Sequence, residues 1–295
     1  MAVRRVYFYL TQWRRYEIVD CDLSDYFTTI PHGPLMKCVR RRVSDGSVLE
    51  IIKRWLEVPV IERQPHGKRR STEAKDRHRG VPQGGVISPL AANLYFRRFL
   101  LAWSKFGAER RFDAHVVNYA DDFVICCRPG NAEAALAEMT RLMTRLGLKV
   151  NERKTRIANL PQQRFDFLGY TFGRFFGREG RAYIGTRPSK KAISHATQRI
   201  REETSRRWLT STAEKRVEEI NRFVRGWCAY FNQGPVYEAH QIVRKYTERR
   251  LRRWLMKKRK RRGTGYRQYP DEYLYGKLGL FKPPGQSRSR SSAKT

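Results

Sequence analysis

The stretch VVNYADDFVICC, residues 116–127, sets two apolar runs on either side of two adjacent acids, Asp121 and Asp122, with no glycine or proline to turn the chain. Short runs rich in Val, Ile and Phe read as strands, so the acids mark the place where two strands meet. A hairpin with both carboxylates at its tip is the expectation. Upstream, residues 17–23 alternate with period two: Val19, Cys21 and Leu23 share one face, and Ile18, Asp20 and Asp22 the other. A strand carrying Asp22 beside a tip carrying Asp121 and Asp122 gathers hard oxygen donors, the type suited to Mg²⁺ rather than zinc. Taken alone, the same two acids also read as a solvated turn, and the neighbouring motifs decide between these readings.

The whole chain narrows the class. Its 295 residues are 40% hydrophobic, enough for a sizeable core and for two domains. Lys and Arg number 62 against 28 Asp and Glu, a formal charge of +34, which exceeds an ordinary solvated surface and points to a polyanionic partner. Aromatic residues at 12% exclude a disordered basic chain. Five cysteines, Cys21, Cys38, Cys126, Cys127 and Cys228, show neither C-x-x-C nor Cys/His zinc spacing and read as core thiols in a reducing interior. The start, MAVRRVYFYLTQW, holds an apolar run too short for a signal peptide or a membrane span, and a cytoplasmic location is expected.

Along the chain, residues 35–56 read as helical after the turn signal Pro31-His32-Gly33-Pro34. Residues 64–80 (QPHGKRRSTEAKDRHRG) are polar, basic and without periodicity, and read as a surface loop. Leu90, Leu94, Tyr95 and Leu101 fit an amphipathic helix after Pro89. From Asn131, a candidate N-cap, Ala132, Leu136, Met139, Leu142, Met143 and Leu146 keep helical spacing up to Gly147. A further strand region spans 165–172. Composition then shifts at Pro188 and Ser189 toward basic helical sequence. Val217, Ile220, Val224, Trp227 and Phe231 mark a helix closed by Gly234-Pro235, with flanking helices over 190–207 and 236–259. The expected division is 1–187, 188–262 and a basic tail, 263–295, whose end SRSRSSAKT is expected to be disordered.

YADD (119–122), DLSDYF (22–27) and VPQGGVISPLAANLYF (81–96) resemble the palm motifs of reverse transcriptases, in that family's order. NERKT (151–155) and FDFLGYTF (165–172) resemble the two motifs that follow. RGWCAYF (225–231) is similar to the maturase, or thumb, domain of bacterial group II intron reverse transcriptases. The resemblance implies an α+β fold: a right-hand palm of antiparallel strands with helices on one face, then an α-helical thumb. It implies RNA-directed DNA synthesis with intron RNA binding and splicing assistance. The partners would be structured intron RNA, an RNA template with DNA primer, and deoxynucleoside triphosphates, and the cofactor two Mg²⁺ ions.

Residue by residue, the resemblance makes Asp22 and Asp121 ligands of both metals, with the Leu23 carbonyl assisting and Asp122 supporting the site. Asp20 reads as a supporting or structural acid. Phe27 matches the residue under the incoming sugar, with a core aromatic as the other reading. Gln83, Gly84 and Gly85 match the loop that touches template and nucleotide, where glycine permits close backbone approach. A plain helix-entry turn is the alternative. Lys154 matches the proposed general acid toward pyrophosphate, although any basic side chain of this lysine- and arginine-rich chain could stand there. His32 and His115 read as structural. Trp227, Tyr230 and Phe231 read as thumb core. Arg249, Arg250, Arg252, Arg253, Lys257 and Lys258 read as phosphate contacts to structured RNA.

Some features depart from the family. Only residues 1–21 precede Asp22, where group II intron enzymes carry a long fingers region whose Lys and Arg hold the triphosphate. The expectation is that the fingers are missing here through truncation, a misassigned start or a separate polypeptide, and that this chain alone polymerises poorly. Thr28 stands where many relatives have a further Asp, and no Cys/His nuclease module follows the thumb. Two other readings stay open. One is a splicing cofactor whose palm is only scaffold. The other is a non-intron reverse transcriptase, such as a retron or defence enzyme, against which RGWCAYF argues.

Overall fold

In the computed structural model the chain divides into a first unit, Met1–Phe167, and a second that begins at Leu168. Residues 2–64, 67–82, 84–177 and 179–284 are described. The strands of the first unit are β1 (Glu17–Cys21), β2 (Leu23–Ser24), β3 (Val60–Gln64), β4 (Gly67–Ser71), β5 (Ala114–Tyr119), β6 (Asp122–Cys127), β7 (Lys149–Val150), β8 (Arg156–Asn159) and β9 (Phe165–Phe167). Four of them form a sheet in the order β5-β6-β1-β8, antiparallel throughout. The two strands expected within 116–127 are β5 and β6.

Period two assigns the faces of this sheet. Val19, Cys21, Phe123, Ile125 and Cys127 belong to one core with Tyr95, Phe96 and Phe99 of helix Ser88–Lys105 and Met139, Leu142 and Met143 of helix Ala132–Arg145. Phe99 and Phe123 pack 5.6 Å apart, and each fully buried ring contributes roughly 1.5–3 kcal/mol of apolar burial. The alternate residues Ile18, Val117, Val124 and Cys126 are buried as well. Helix Ala2–Thr11 packs against β5 and β6 and buries Val3, Val6 and Leu10. Helices therefore cover both faces, and the expectation of helices on one face is corrected. The sequence carries the reason, because β6 reads FVICC, apolar at consecutive positions rather than alternate ones.

Two local readings also change. The helical stretch 35–56 is two helices, His32–Arg40 and Gly46–Leu56, because Asp45 caps the second by accepting from the Val48 N–H at 3.1 Å. The supposed surface loop 64–80 holds the second strand of the β3–β4 ribbon, paired from Val60↔Ser71 to Gln64↔Gly67, and a short helix, Glu73–Asp76. Backbone pairing in an isolated ribbon leaves no apolar period to read.

The second unit opens with a hairpin of β10 (Tyr170–Phe176) and β11 (Ala182–Pro188), in register from Tyr170↔Pro188 to Phe176↔Ala182. Helices Lys190–Glu203, Ala213–Tyr230 and Tyr237–Lys258 follow. Ser189 and Thr212 cap the first two through their side-chain oxygens. Pro188, where composition shifts, ends β11, and the hairpin before it groups with these helices. Val217, Ile220, Val224 and Trp227 form the buried stripe. Gly234, at φ +74°, allows the turn after it, since a Cβ there would come within 2.1 Å of the Thr186 carbonyl oxygen.

The described part of the tail folds back on the helices. Arg252 Nε donates to the Tyr269 carbonyl at 2.8 Å, and Asn221 Nδ2 to the Gly279 carbonyl at 2.8 Å. The expected disorder of the last residues falls on 285–295, outside the described residues. Among the described residues no helix is long and apolar enough to cross a membrane.

Candidate functional site

Sheet register brings the acids together. Cys21 lies opposite Phe123, so the end of β1, just before Asp22, meets the start of β6 at Asp122. Tyr119 pairs with Asp122, which leaves Ala120 and Asp121 as the whole turn. Ala120 sits at φ +55°, in the left-handed region that glycine would occupy without penalty and that costs another residue on the order of 1–2 kcal/mol. A strained alanine thus makes the turn for which the sequence shows no glycine. The Asp122 carboxyl is held above the usual carboxylate range, first by burial and then by the negative charges of Asp121 and Asp22. Asp122 thus feels both of the other acids.

Asp22 is gripped from NERKT. The Asn151 N–H donates to the Asp22 carbonyl at 2.9 Å and Asn151 Nδ2 to Asp22 Oδ2 at 3.0 Å. Thr155 Oγ1 accepts from the Asp22 N–H at 3.3 Å, and Lys154 Nζ lies 3.5 Å from Asp22 Oδ2. A tight turn presents these three side chains together, with Lys154 N–H and Thr155 N–H both bonded to the Asn151 carbonyl. Asn151 and Thr155 were missed as site residues, although they stand in the motif that contains Lys154. Leu23 opens β2 opposite Val150. Asp20 faces β8, where Arg156 Nε donates to its Oδ2 at 3.2 Å. Burial raises its carboxyl against the pull of that arginine, with Asp166 and Asp122 adding repulsion. Asp20 is therefore tied to the neighbouring strand through Arg156.

Phe27 is half-buried and meets Tyr26 edge-on at 5.7 Å. Its carbonyl accepts from Val81 N–H at 2.7 Å, and the Ile30 carbonyl from Gly80 N–H at 2.8 Å. These two bonds hold the approach to the 82–85 loop against helix Tyr26–Thr29. Gln83 lies outside the described residues. Gly84 has φ +84°, and a Cβ on Gly85 would come within 2.7 Å of Ser88 Oγ, which itself donates to the Pro82 carbonyl. Both glycines are thus required by the turn into helix Ser88–Lys105. Tyr26 Oη donates to the Ala92 carbonyl at 2.6 Å and ties this helix to DLSDYF. His115 is structural, stacked 4.8 Å from the Tyr9 ring with Nδ1 2.6 Å from Glu109 Oε1.

On helix Tyr237–Lys258 the six basic candidates separate. Arg249, Arg253 and Lys257 are exposed at four-residue steps, one stripe of the helix. Arg250 donates from Nε to Thr204 Oγ1 at 3.0 Å and from Nη2 to the Arg201 and Thr204 carbonyls, serving the end of helix Lys190–Glu203. Lys258 Nζ donates to the Leu209 and Ser211 carbonyls, both at 2.8 Å. Arg252 is only 1% exposed, bonds to the Tyr269 carbonyl and to Asp271, and lies 4.4 Å over the Tyr266 ring. The reading of Arg252 as an RNA contact is corrected: a buried guanidinium with these partners does not reach solvent phosphate. Trp227 and Phe231 are buried, while Tyr230 exposes its ring and donates through Oη to the Leu168 carbonyl.

The pattern of the family described as reverse transcriptase (RNA-dependent DNA polymerase) matches residues 9–172, and that of the group II intron, maturase-specific domain matches residues 193–270. Protein YkfC of Escherichia coli is 31% identical over 229 residues, covering 66% of this chain and 58% of YkfC. The group II intron-encoded protein LtrA of Lactococcus lactis is 30% identical over 77 residues, covering 26% of this chain and 12% of LtrA. Apo telomerase from Candida tropicalis, truncated from its C-terminal domain, aligns with a TM-score of 0.45 at 14% identity, over 62% of this chain and 39% of that one. The chain thus spans less than two thirds of the length of these relatives. Reverse transcriptases use divalent metal ions, and an Asp122 carboxylate repelled by those of Asp121 and Asp22, all of hard oxygen character, suits such an ion. With the first pattern matching more than half of its length and the second following it in order, the chain belongs to the reverse transcriptase family and carries a group II intron maturase domain.

Proposed function

We propose that this protein is an RNA-directed DNA polymerase of the group II intron type that also binds intron RNA and assists its splicing. The observation that carries the reading is the acid site: Asp22, gripped by Asn151, Lys154 and Thr155, beside the hairpin tip of Asp121 and Asp122. Asp22 and Asp121, with the Leu23 carbonyl, are the proposed ligands of two Mg²⁺ ions, and Asp122 supports them. When bound, such ions neutralise charge on the attacking hydroxyl and the leaving pyrophosphate. Phe27 lies under the incoming sugar and excludes a 2′ hydroxyl. Gln83, Gly84 and Gly85 meet template and nucleotide. Lys154 delivers a proton toward pyrophosphate.

Residues 1–187 act as the palm in this reading, and 188–262 as the thumb, with the basic tail after it. The exposed stripe Arg249, Arg253 and Lys257, with Arg250 and Lys258 at its margin, meets RNA phosphates. Partners are structured intron RNA, an RNA template with DNA primer, and deoxynucleoside triphosphates. The five free cysteines suit work in the reducing cytoplasm.

Primer extension on an RNA template tests the proposal. The assay is run with the chain as it stands and with the fingers segment of a group II intron relative joined upstream. Template-dependent addition that Asp121→Asn lowers by orders of magnitude, with RNA affinity unchanged, supports it. RNA binding without addition in either form would favour the splicing cofactor instead.

A further inference from the structure

The acids are not the only converging donors. His32, Glu57 and His78 each place one ligand-type atom within 4.8 Å of the other two. They come from three separate places in the sequence: the start of helix His32–Arg40, the residue that ends helix Gly46–Leu56, and the turn after helix Glu73–Asp76. Backbone bonds hold the two histidines in place. The His32 N–H donates to the His78 carbonyl at 2.9 Å, and Pro31 and Arg79 form an antiparallel bridge.

The state of the His32 ring is fixed by one contact. Its Nε2 lies 2.6 Å from the Gly80 carbonyl, which can only accept, so Nε2 carries the proton and Nδ1 bears the lone pair. His32 is 6% exposed, and its Nδ1 is buried without a hydrogen-bond partner. A buried acceptor left without a donor is a standing cost that a ligand can remove. One ring nitrogen donating to a backbone carbonyl while the other offers its lone pair is also the usual orientation of a metal-binding histidine. Burial lowers the basicity of this ring and favours the neutral form that a metal needs.

We propose that His32 Nδ1, His78 and Glu57 form a zinc site. Two imidazole nitrogens and one carboxylate oxygen match Zn²⁺, with a water able to fill the fourth position, whereas Mg²⁺ prefers an all-oxygen shell. Its placement gives it a task apart from the carboxylate site. Gly80 and Val81 bond to the Ile30 and Phe27 carbonyls. An ion at His32 and His78 therefore braces the chain that leads into Pro82, Gly84 and Gly85 and pins it to the end of helix Gly46–Leu56.

The test uses tag-free, chelator-treated full chain in excess Mg²⁺, titrated with Co²⁺ and read by its visible d–d absorption. One equivalent of Co²⁺ should bind, be displaced by Zn²⁺ and resist Mg²⁺, and Zn²⁺ should raise the melting temperature. His78→Ala and Glu57→Gln, both at positions that are not fully buried, should each fold and each weaken Co²⁺ affinity by at least about tenfold, the loss that even outer-sphere partners of a metal cause. Absence of stoichiometric binding, displacement by Mg²⁺, or an unchanged Co²⁺ spectrum in the double variant would each overturn the proposal. The last outcome would place the ion on other donors, such as the cysteines.

Discussion

Asn151 holds Asp22 at two points, its N–H on the Asp22 carbonyl at 2.9 Å and its side-chain amide on Asp22 Oδ2 at 3.0 Å. The first bond sets the backbone where β1 gives way to β2, and the second fixes the rotamer of the carboxylate. Asn151 is thus a positioning residue for the proposed metal ligand.

Asn151→Ala is expected to lower the primer-extension rate by about 10²-fold, the scale on which a misplacement of about 1 Å acts, and to raise the Mg²⁺ concentration needed for half-maximal rate. Asn151→Ser, which keeps a short donor, should recover part of both. A rate loss with no change in Mg²⁺ dependence would point to a general packing defect.

Phe27 is neither core nor free surface, because its ring is half-buried against Tyr26 while its carbonyl holds Val81. Phe27→Ala should admit ribonucleotides by relieving a clash and still add deoxynucleotides, since the backbone bond survives. Competition between the two sugars on one template measures this. A variant that loses stability with no change in sugar preference would assign the ring to packing.

Asp122 binds its proton more tightly in the folded chain than in the unfolded one, owing first to burial and then to Asp121 and Asp22. Such a group favours the fold below the unfolded aspartate value of about 3.9, and this contribution is lost as pH rises through the higher folded value. Near neutral pH the ionised carboxylate opposes folding. Asp122→Asn should then be the more stable protein at about pH 7, by roughly 0.5 kcal/mol or less because solvent still screens this partly covered carboxyl, and the difference should vanish below about pH 4. Melting curves across that range check it. A less stable variant at neutral pH would mean that attraction, not repulsion, dominates around Asp122.

The basic helix should separate into two behaviours. Arg253→Ala with Lys257→Ala should leave stability near wild type, weaken RNA binding, and reduce the slope of log affinity against log salt by about one per side chain. Arg252→Ala should instead cost roughly 2 kcal/mol or more in stability, because it leaves the Tyr269 carbonyl and Asp271 without their donor. Filter binding over a salt series and denaturant unfolding distinguish the pair. Equal salt slopes in wild type and the double variant would remove this stripe from the interface.

Local patterning made the β5–β6 hairpin and the helices after Ser88, Asn131 and Thr212 legible, because each one's buried face repeats at its own period. Partners across long separations were not legible. Asn131 does stand at the cap of its helix, but its side chain is engaged elsewhere: Nδ2 donates to the Phe112 carbonyl, and it is Glu17 Oε2 on β1 that accepts from the Ala132 N–H at 3.0 Å. Periodicity states which side of an element is buried and not what lies against it. For the same reason Asp22 could be named from its motif while the grip of Asn151 could not, and His32 read as structural because Glu57 and His78 lie far along the chain. The helix Ala2–Thr11 escaped notice through its arginines, which occupy its exposed side.

The Arg252 guanidinium has an effect on the order in which the second unit can be completed. Its hydrogen-bond partners, the Tyr269 carbonyl and Asp271, lie 17 and 19 residues further along the chain. During synthesis, helix Tyr237–Lys258 leaves the ribosome with a cation on its inner side that lacks these partners until that later stretch emerges. The part of the compositional tail that holds Tyr269 and Asp271 is thus needed to complete the packing of this helix. A stop codon or fusion junction placed just after Arg262 would release helices that hold water against their own core, a form open to proteases and chaperones.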